Sequence, residues 1–172
     1  IHSVSPLSLK ARCNLSVVQK KCAWLFAGQG TLSVNACRRL YESNKPFQVA
    51  MAKCDKLLFS YMNKTASQVL YPTSDIPEGA AELILQDTRY AQPILVALEY
   101  CISEMWKASG YTPSVVLGHS LGEYAAAVVA GVIDIENCLK LVCYRAELIH
   151  SGSSCNGVMY AVRTTEETAC AA

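Results

Sequence analysis

"VVLGHSLGEYAAAVVAG", residues 115–131, runs from Val115, Val116 and Leu117 through Gly118-His119-Ser120-Leu121-Gly122 into a train of alanines. A short β-branched run closing on glycine has the form of a buried strand, and the small residues after the second glycine have the form of a helix. Gly-x-Ser-x-Gly alone is a weak pattern; between a strand and a helix it has the setting of a nucleophile elbow, with Ser120 at the tip. The turn is so sharp that side chains two before and two after the serine are expected to collide, which accounts for Gly118 and Gly122. Leu121 then offers its backbone N–H at the positive end of the helix, where a developing oxyanion is stabilised by the hydrogen bond and the dipole together. Ala125, Ala126, Ala127 and Ala130 let the helix lie close on a sheet. His119 points elsewhere on such a turn and is read as structural, as is Glu123, a carboxylate favoured in a first helical turn without any catalytic task.

Working outward, "CAWLFAGQG" at 22–30 is a second apolar run ending in glycines, a buried strand over about residues 22–27 followed by a tight loop. One helix ends near Leu40 and Tyr41. The segment 46–62 sets Phe47, Met51, Cys54, Leu58 and Met62 on one helical stripe, a core face. Further helices are expected over 79–87 and 92–110, the latter with Pro93 in its first turn and Gly110 at its end. Beyond the elbow, Leu121 to Ala130 and Ile135 to His150 read as two helices parted by Gly131 and by Asp134, an N-cap. "GVMYAVR" at 157–163 alternates like a strand, and Thr164 with Glu167 forms a capping box opening another helix. Two strands are fewer than the roughly four to six of an ordinary sheet, so the α/β unit is expected to be partial, its remaining strands lying outside this sequence. Residues 1–21, with Lys10, Arg12, Lys20 and Lys21 and no sustained period, read as a linker or leader.

Composition restricts the possibilities. Of 172 residues, 52% are hydrophobic and 17% charged, which suits one domain with a sizeable core rather than a disordered segment. A net charge of +1 supplies no bulk attraction to nucleic acid or to an anionic membrane, so any anionic ligand must be held by particular residues. The apolar run 125–133 is far shorter than the roughly 20 residues that cross a bilayer. The nine cysteines contain no Cys-x-x-Cys pair, which argues against a zinc site or a disulfide framework and for free thiols in a reducing setting, cytoplasmic with an organelle as the alternative.

Four stretches then occur in order: "FAGQG" at 26–30, "YAQPILVALE" at 90–99, "GHSLGEYAAAVVAG" at 118–131 and "YRAELI" at 144–149. Together they resemble the malonyl-CoA:acyl carrier protein transacylase family, including the acyltransferase domains of type I fatty acid and polyketide synthases. The fold this resemblance implies is α/β: a partial doubly wound, α/β-hydrolase-like large subdomain with a nucleophile elbow over 22–152, then the start of a ferredoxin-like small subdomain over 153–172. It implies a ping-pong transfer of malonyl from coenzyme A to the phosphopantetheine thiol of an acyl carrier protein through an ester on Ser120, with no bound cofactor and no metal. The resemblance assigns Gln29 the second oxyanion N–H beside that of Leu121, and Gln92 a place in the substrate site. It assigns Arg145 the malonyl carboxylate, which a planar guanidinium can grip bidentately. Leu121, where methylmalonyl-selective relatives tend to carry glutamine, points to malonyl. Neighbouring synthase domains are expected partners; nucleic acid and membrane are not. Two departures stand out. Leu32 replaces a usual glutamine, and Ile149-His150 replaces a common Met-Gln; His150 is read as a surface helix residue. The family's catalytic histidine is expected beyond residue 172. A serine esterase or thioesterase, and a non-catalytic element of a synthase, are the competing readings.

Overall fold

The computed structural model describes residues 21–152 and 163–170. Ala23–Phe26 (β1) and Val115–Gly118 (β2) pair in parallel, Ala23 opposite Val115 and Phe26 opposite Gly118, so both strands end at the same edge of the sheet. The helices follow the chain as α1 (Arg38–Ser43), α2 (Lys45–Met62), α3 (Ala66–Leu70), α4 (Glu78–Gln86) and α5 (Thr88–Ala108). After β2 come α6 (Gly122–Val129), α7 (Ile135–Gly152) and α8 (Glu166–Cys170). The crossover between two parallel strands is thus long and helical, as parallel pairing requires.

Capping explains most of the helix starts. The Asn44 side chain accepts from Phe47 N at 3.0 Å to open α2, and Thr65 with Gln68 makes a reciprocal capping box for α3, a helix not expected from the sequence. Asp134 accepts from Asn137 N at 2.8 Å at the start of α7, as expected. Asp87 accepts from Arg89 N at 2.9 Å and starts α5 well before Gln92. Pro93 therefore lies inside α5 and not in its first turn: a proline tolerates that position at the expense of one intrahelical bond, and the capping aspartate upstream decides the boundary. Leu40 and Tyr41 likewise fall in the middle of α1 and not at its end. The last cap is Thr165, whose Oγ1 accepts from Thr168 N, rather than Thr164 with Glu167. Apart from Arg163 and Lys21, which lie in no helix or strand, the strand expected over 157–163 and the leader expected over 1–21 fall outside the described residues.

The main core lies between α2, α5 and α7, where Phe47, Met51, Leu58, Ile94, Cys101, Leu139 and Val142 are fully buried. A smaller cluster, Phe26 with Ala125 and Ala126, seats α6 on one face of the sheet, helped by Trp24, Val116 and Val129. Of the four alanines expected against the sheet, Ala125 and Ala126 are buried there, whereas Ala127 is half-buried and Ala130 exposed. The other face carries Leu25 at 74%, Val115 at 59% and Leu117 at 61% exposure. The strands were expected to be buried on both faces; the described residues cover one, because they place a helix only on the α6 side. Cys54, Cys101 and Cys138 are buried free thiols. No described helix is long and apolar enough to cross a membrane.

Candidate active site

Ser120 has φ 54°, a left-handed conformation that costs a non-glycine residue roughly 1–3 kcal/mol and persists only where the surroundings impose it. The surroundings are the two strand ends. His119 N–H donates to Phe26 O at 3.0 Å, Gly122 N–H to His119 O at 3.0 Å, and Glu123 N–H to Ser120 O at 3.2 Å. A Cβ on Gly118 would lie 2.2 Å from Glu123 N, so the turn itself excludes a side chain there. A Cβ on Gly122 would lie 2.4 Å from Phe26 O. The second glycine is therefore demanded by the neighbouring strand and not by a clash across the turn, which refines the sequence expectation. Leu121 buries its side chain in the core and is the N-cap of α6, so its N–H sits at the helix start with no intrahelical acceptor.

The loop after β1 lies directly against this elbow. A Cβ on Gly28 would meet His119 Nδ1 at 2.9 Å and Ser120 Cβ at 3.4 Å. His119 thus turns its imidazole toward Gly28, in keeping with a structural role. The next residue, Gln29, is held through its side chain: Oε1 accepts from Gln92 Nε2 at 3.2 Å and from Thr88 Oγ1 at 3.4 Å. Gln92 Nε2 also donates to Thr88 Oγ1 at 2.6 Å, and Gln92 Oε1 accepts from Arg145 Nη1. The Arg145 guanidinium lies 5.9 Å from the ring centroid of Tyr124, four residues after Ser120. The contacts close a ring: Ser120 against Gly28, then Gln29, Gln92, Arg145, Tyr124 and back to the elbow. Of the sequence-named site residues, Ser120, Gln29, Gln92 and Arg145 belong to it, and Leu121 adjoins it through its carbonyl, which accepts from Tyr124 N–H at 3.1 Å.

Within that ring Gln92, 1% exposed, uses its amide to brace Gln29 on one side and Arg145 on the other. Arg145 has no carboxylate within ion-pair distance among the described residues, whereas Arg89 is taken up by Asp87 at 2.6 Å. That bond to Arg89 holds the Asp87 carboxyl below its ordinary range. His150 Nδ1 lies 3.9 Å from the same Asp87. Among the described residues nothing hydrogen-bonds to Ser120 Oγ, His119 and His150 included. Thr88, Tyr124 and Gly28 were not singled out in the sequence; Thr88 and Tyr124 carry a faint signal, each one helical turn from a named residue.

A family model described as "Acyl transferase domain" matches residues 23–172. A PKS-NRPS hybrid synthetase of Aspergillus niger is 35% identical over 131 residues, covering 76% of this chain and 7% of its own length. An erythronolide synthase of Saccharopolyspora erythraea is 34% identical over 136 residues, covering 79% of this chain and 4% of its own. Among solved structures, the acyl transferase domain of ZmaA superposes with TM-score 0.73 at 38% identity over 76% of this chain and 30% of that one. A malonyl-transacylase solved with its type II PKS acyl-carrier protein gives 0.66 at 29% identity, covering 76% and 39%. The chain belongs to the acyl transferase domain family, and its α/β architecture, mostly helical with a short parallel sheet, is part of that fold. It spans under half the length of these solved relatives and a small fraction of the synthases.

Proposed function

We propose that this chain supplies the nucleophile, oxyanion loop and carboxylate-binding arginine of a malonyl-CoA:acyl carrier protein acyltransferase working in the cytoplasm beside other synthase domains. The observation that carries the reading is Arg145: a guanidinium braced by a buried amide, bound to no described acid, and tied through Gln92 and Gln29 to the loop that touches Ser120. An elbow alone would serve any ester. A fixed cation beside it suits an acyl group that carries its own carboxylate, since a planar fork grips both oxygens.

Ser120 Oγ attacks the malonyl thioester carbonyl, its proton passing to a base, and the oxyanion collects on the N–H groups of Leu121 and Gln29. The carbon–sulfur bond breaks, coenzyme A leaves as the thiol after taking up a proton, and malonyl remains as a seryl ester. The carrier's phosphopantetheine thiol then attacks that ester and returns the proton to Ser120. The base is a histidine outside the described residues, which accounts for the free hydroxyl of Ser120. Arg145 favours an acyl group that carries a carboxylate over acetyl, and leucine at position 121 favours malonyl among such groups.

Incubating the intact acyltransferase domain with malonyl-CoA is expected to leave malonyl on the Ser120 peptide, read by mass spectrometry, and Ser120→Ala to abolish it. Arg145→Lys is expected to slow malonyl loading about tenfold or more, the loss of one charge-assisted bond, with little effect on acetyl loading. An unmodified serine overturns the reading. Release of malonate to water with no transfer to the carrier would favour the esterase instead.

A further inference from the structure

The proposed chemistry leaves the buried carboxyl on α5 without a task. Glu99 is 9% exposed; its Oε1 accepts from Ala27 N–H at 2.7 Å, and its Oε2 is buried with no hydrogen-bond partner among the described residues. It borders a cavity of about 340 Å³ between β1 and α5, whose other lining residues, among them Trp24, Ile102, Ser103 and Trp106, hold no titratable acid or base. A solitary buried carboxyl in that setting costs stability, and only a specific bond gives it a reason to be there.

Ala27 is the residue at which the backbone leaves the ladder, one past the Phe26–Gly118 pair and two before Gln29. At 100° per residue, Thr88, Gln92 and Glu99 fall within a narrow stripe on one face of α5. The first two hold the Gln29 side chain and the third holds the Ala27 N–H. Between them, Gly28 faces His119 and the Ser120 Cβ with no space for a side chain between loop and elbow.

Resting on the acyl-transfer reading, we propose that Glu99 is a positioning residue for the oxyanion loop: its carboxylate fixes Ala27 while Gln92 and Thr88 fix Gln29, so that one helix clamps both ends of the loop against the nucleophile. A donor aimed at charge that exists only in the transition state must be held in place beforehand, and a small misplacement of the loop reduces the rate without touching substrate binding. Burial pushes the Glu99 carboxyl up to about 7, the Ala27 bond opposing that rise, so near neutrality ionised and neutral forms coexist. The ionised form makes the stronger, charge-assisted bond.

The test is single-turnover loading of Ser120 from malonyl-CoA by rapid quench, using the intact domain. Glu99→Leu removes the acceptor at similar volume and is expected to lower the saturating loading rate about tenfold, with the half-saturating malonyl-CoA concentration changed less than twofold. Glu99→Gln keeps an accepting oxygen and is expected to restore most of that loss. The ratio of wild-type to Gln rates is expected to rise with pH through about 7, a comparison that cancels titration of the base. A folded Leu variant that loads at the wild-type rate overturns the proposal, as does a loss confined to half-saturation. Should the Leu variant not fold, the Gln ratio decides: a ratio flat in pH overturns the proposal. A wild-type serine that stays unloaded overturns the acyl-transfer reading first, and this inference with it.

Discussion

Ser120 occupies a left-handed backbone conformation that only glycine takes without strain, and the two glycines beside it show what imposes it. Gly118 has no space because the chain folds onto Gly122 and Glu123; Gly122 has none because the carbonyls of Phe26 and Ala27 lie against it. Backbone atoms, unlike the far end of a side chain, cannot step aside without moving the strand. Gly122→Ala is therefore expected to destabilise the fold by about 2 kcal/mol or more, in line with overpacking of a rigid site, and to separate β1 from the elbow. Gly79→Ala is the control: nothing lies within 4 Å, it sits in the first turn of α4 and needs no positive φ, so it should stabilise by up to about 1 kcal/mol. Urea titration of both variants measures the pair, and equal midpoints would contradict the close approach. At this scale the sequence was informative. The glycines, serine and alanines of residues 115–131 state the turn outright, since only small residues fit there. The carbonyls that confine Gly122, being backbone on a distant segment, leave no mark in the local pattern.

At the scale of elements, α5 is the organiser. Its residues 91–99 are all buried, and within that apolar run Gln92 and Glu99 are the polar interruptions that reach the β1 loop. The Gln-Pro pair was legible, but the helix start was misplaced: Pro93 resembles a first-turn proline, and the capping done by Asp87 carries no periodicity. Glu99 was quoted within "YAQPILVALE" and given no role, because a glutamate in a helix is ordinarily a solvated face and only the packing of β1 buries it. Its burial has a consequence for folding. The carboxyl titrates near its usual value in the unfolded chain and at about 7 in the folded one, so the folded state binds the proton more tightly. The stability this contributes is fully present below the unfolded value and is lost as pH rises through about 7. Wild-type stability minus that of Glu99→Gln, from urea midpoints at several pH values, is thus expected to fall over the window from the ordinary glutamate range to about 7 and then level off. A difference that rises instead would mean the Ala27 bond outweighs desolvation.

At the scale of the whole molecule, the described residues form a two-stranded parallel sheet covered on one side. Parallel sheets ordinarily have both faces covered, and the uninterrupted apolar strands "AWLF" and "VVLG" were read in that sense. Periodicity cannot say which part of a polypeptide does the covering, and the described residues leave Leu25, Val115 and Leu117 facing outward, with Trp106 45% exposed nearby on α5. An apolar surface of this kind marks a contact with something else. The 172-residue chain by itself is accordingly expected to bind an apolar dye such as ANS and to self-associate at micromolar concentration. Leu25→Thr with Leu117→Thr should reduce both, since threonine keeps the strand preference and removes the apolar surface. Far-UV circular dichroism should not change, because neither side chain belongs to the clusters that hold α6 or the main core. Light scattering with dye titration decides it: a wild-type chain that stays monomeric and dark would show that this face is already covered by residues outside the described set, and the double variant would then lose stability rather than gain monodispersity.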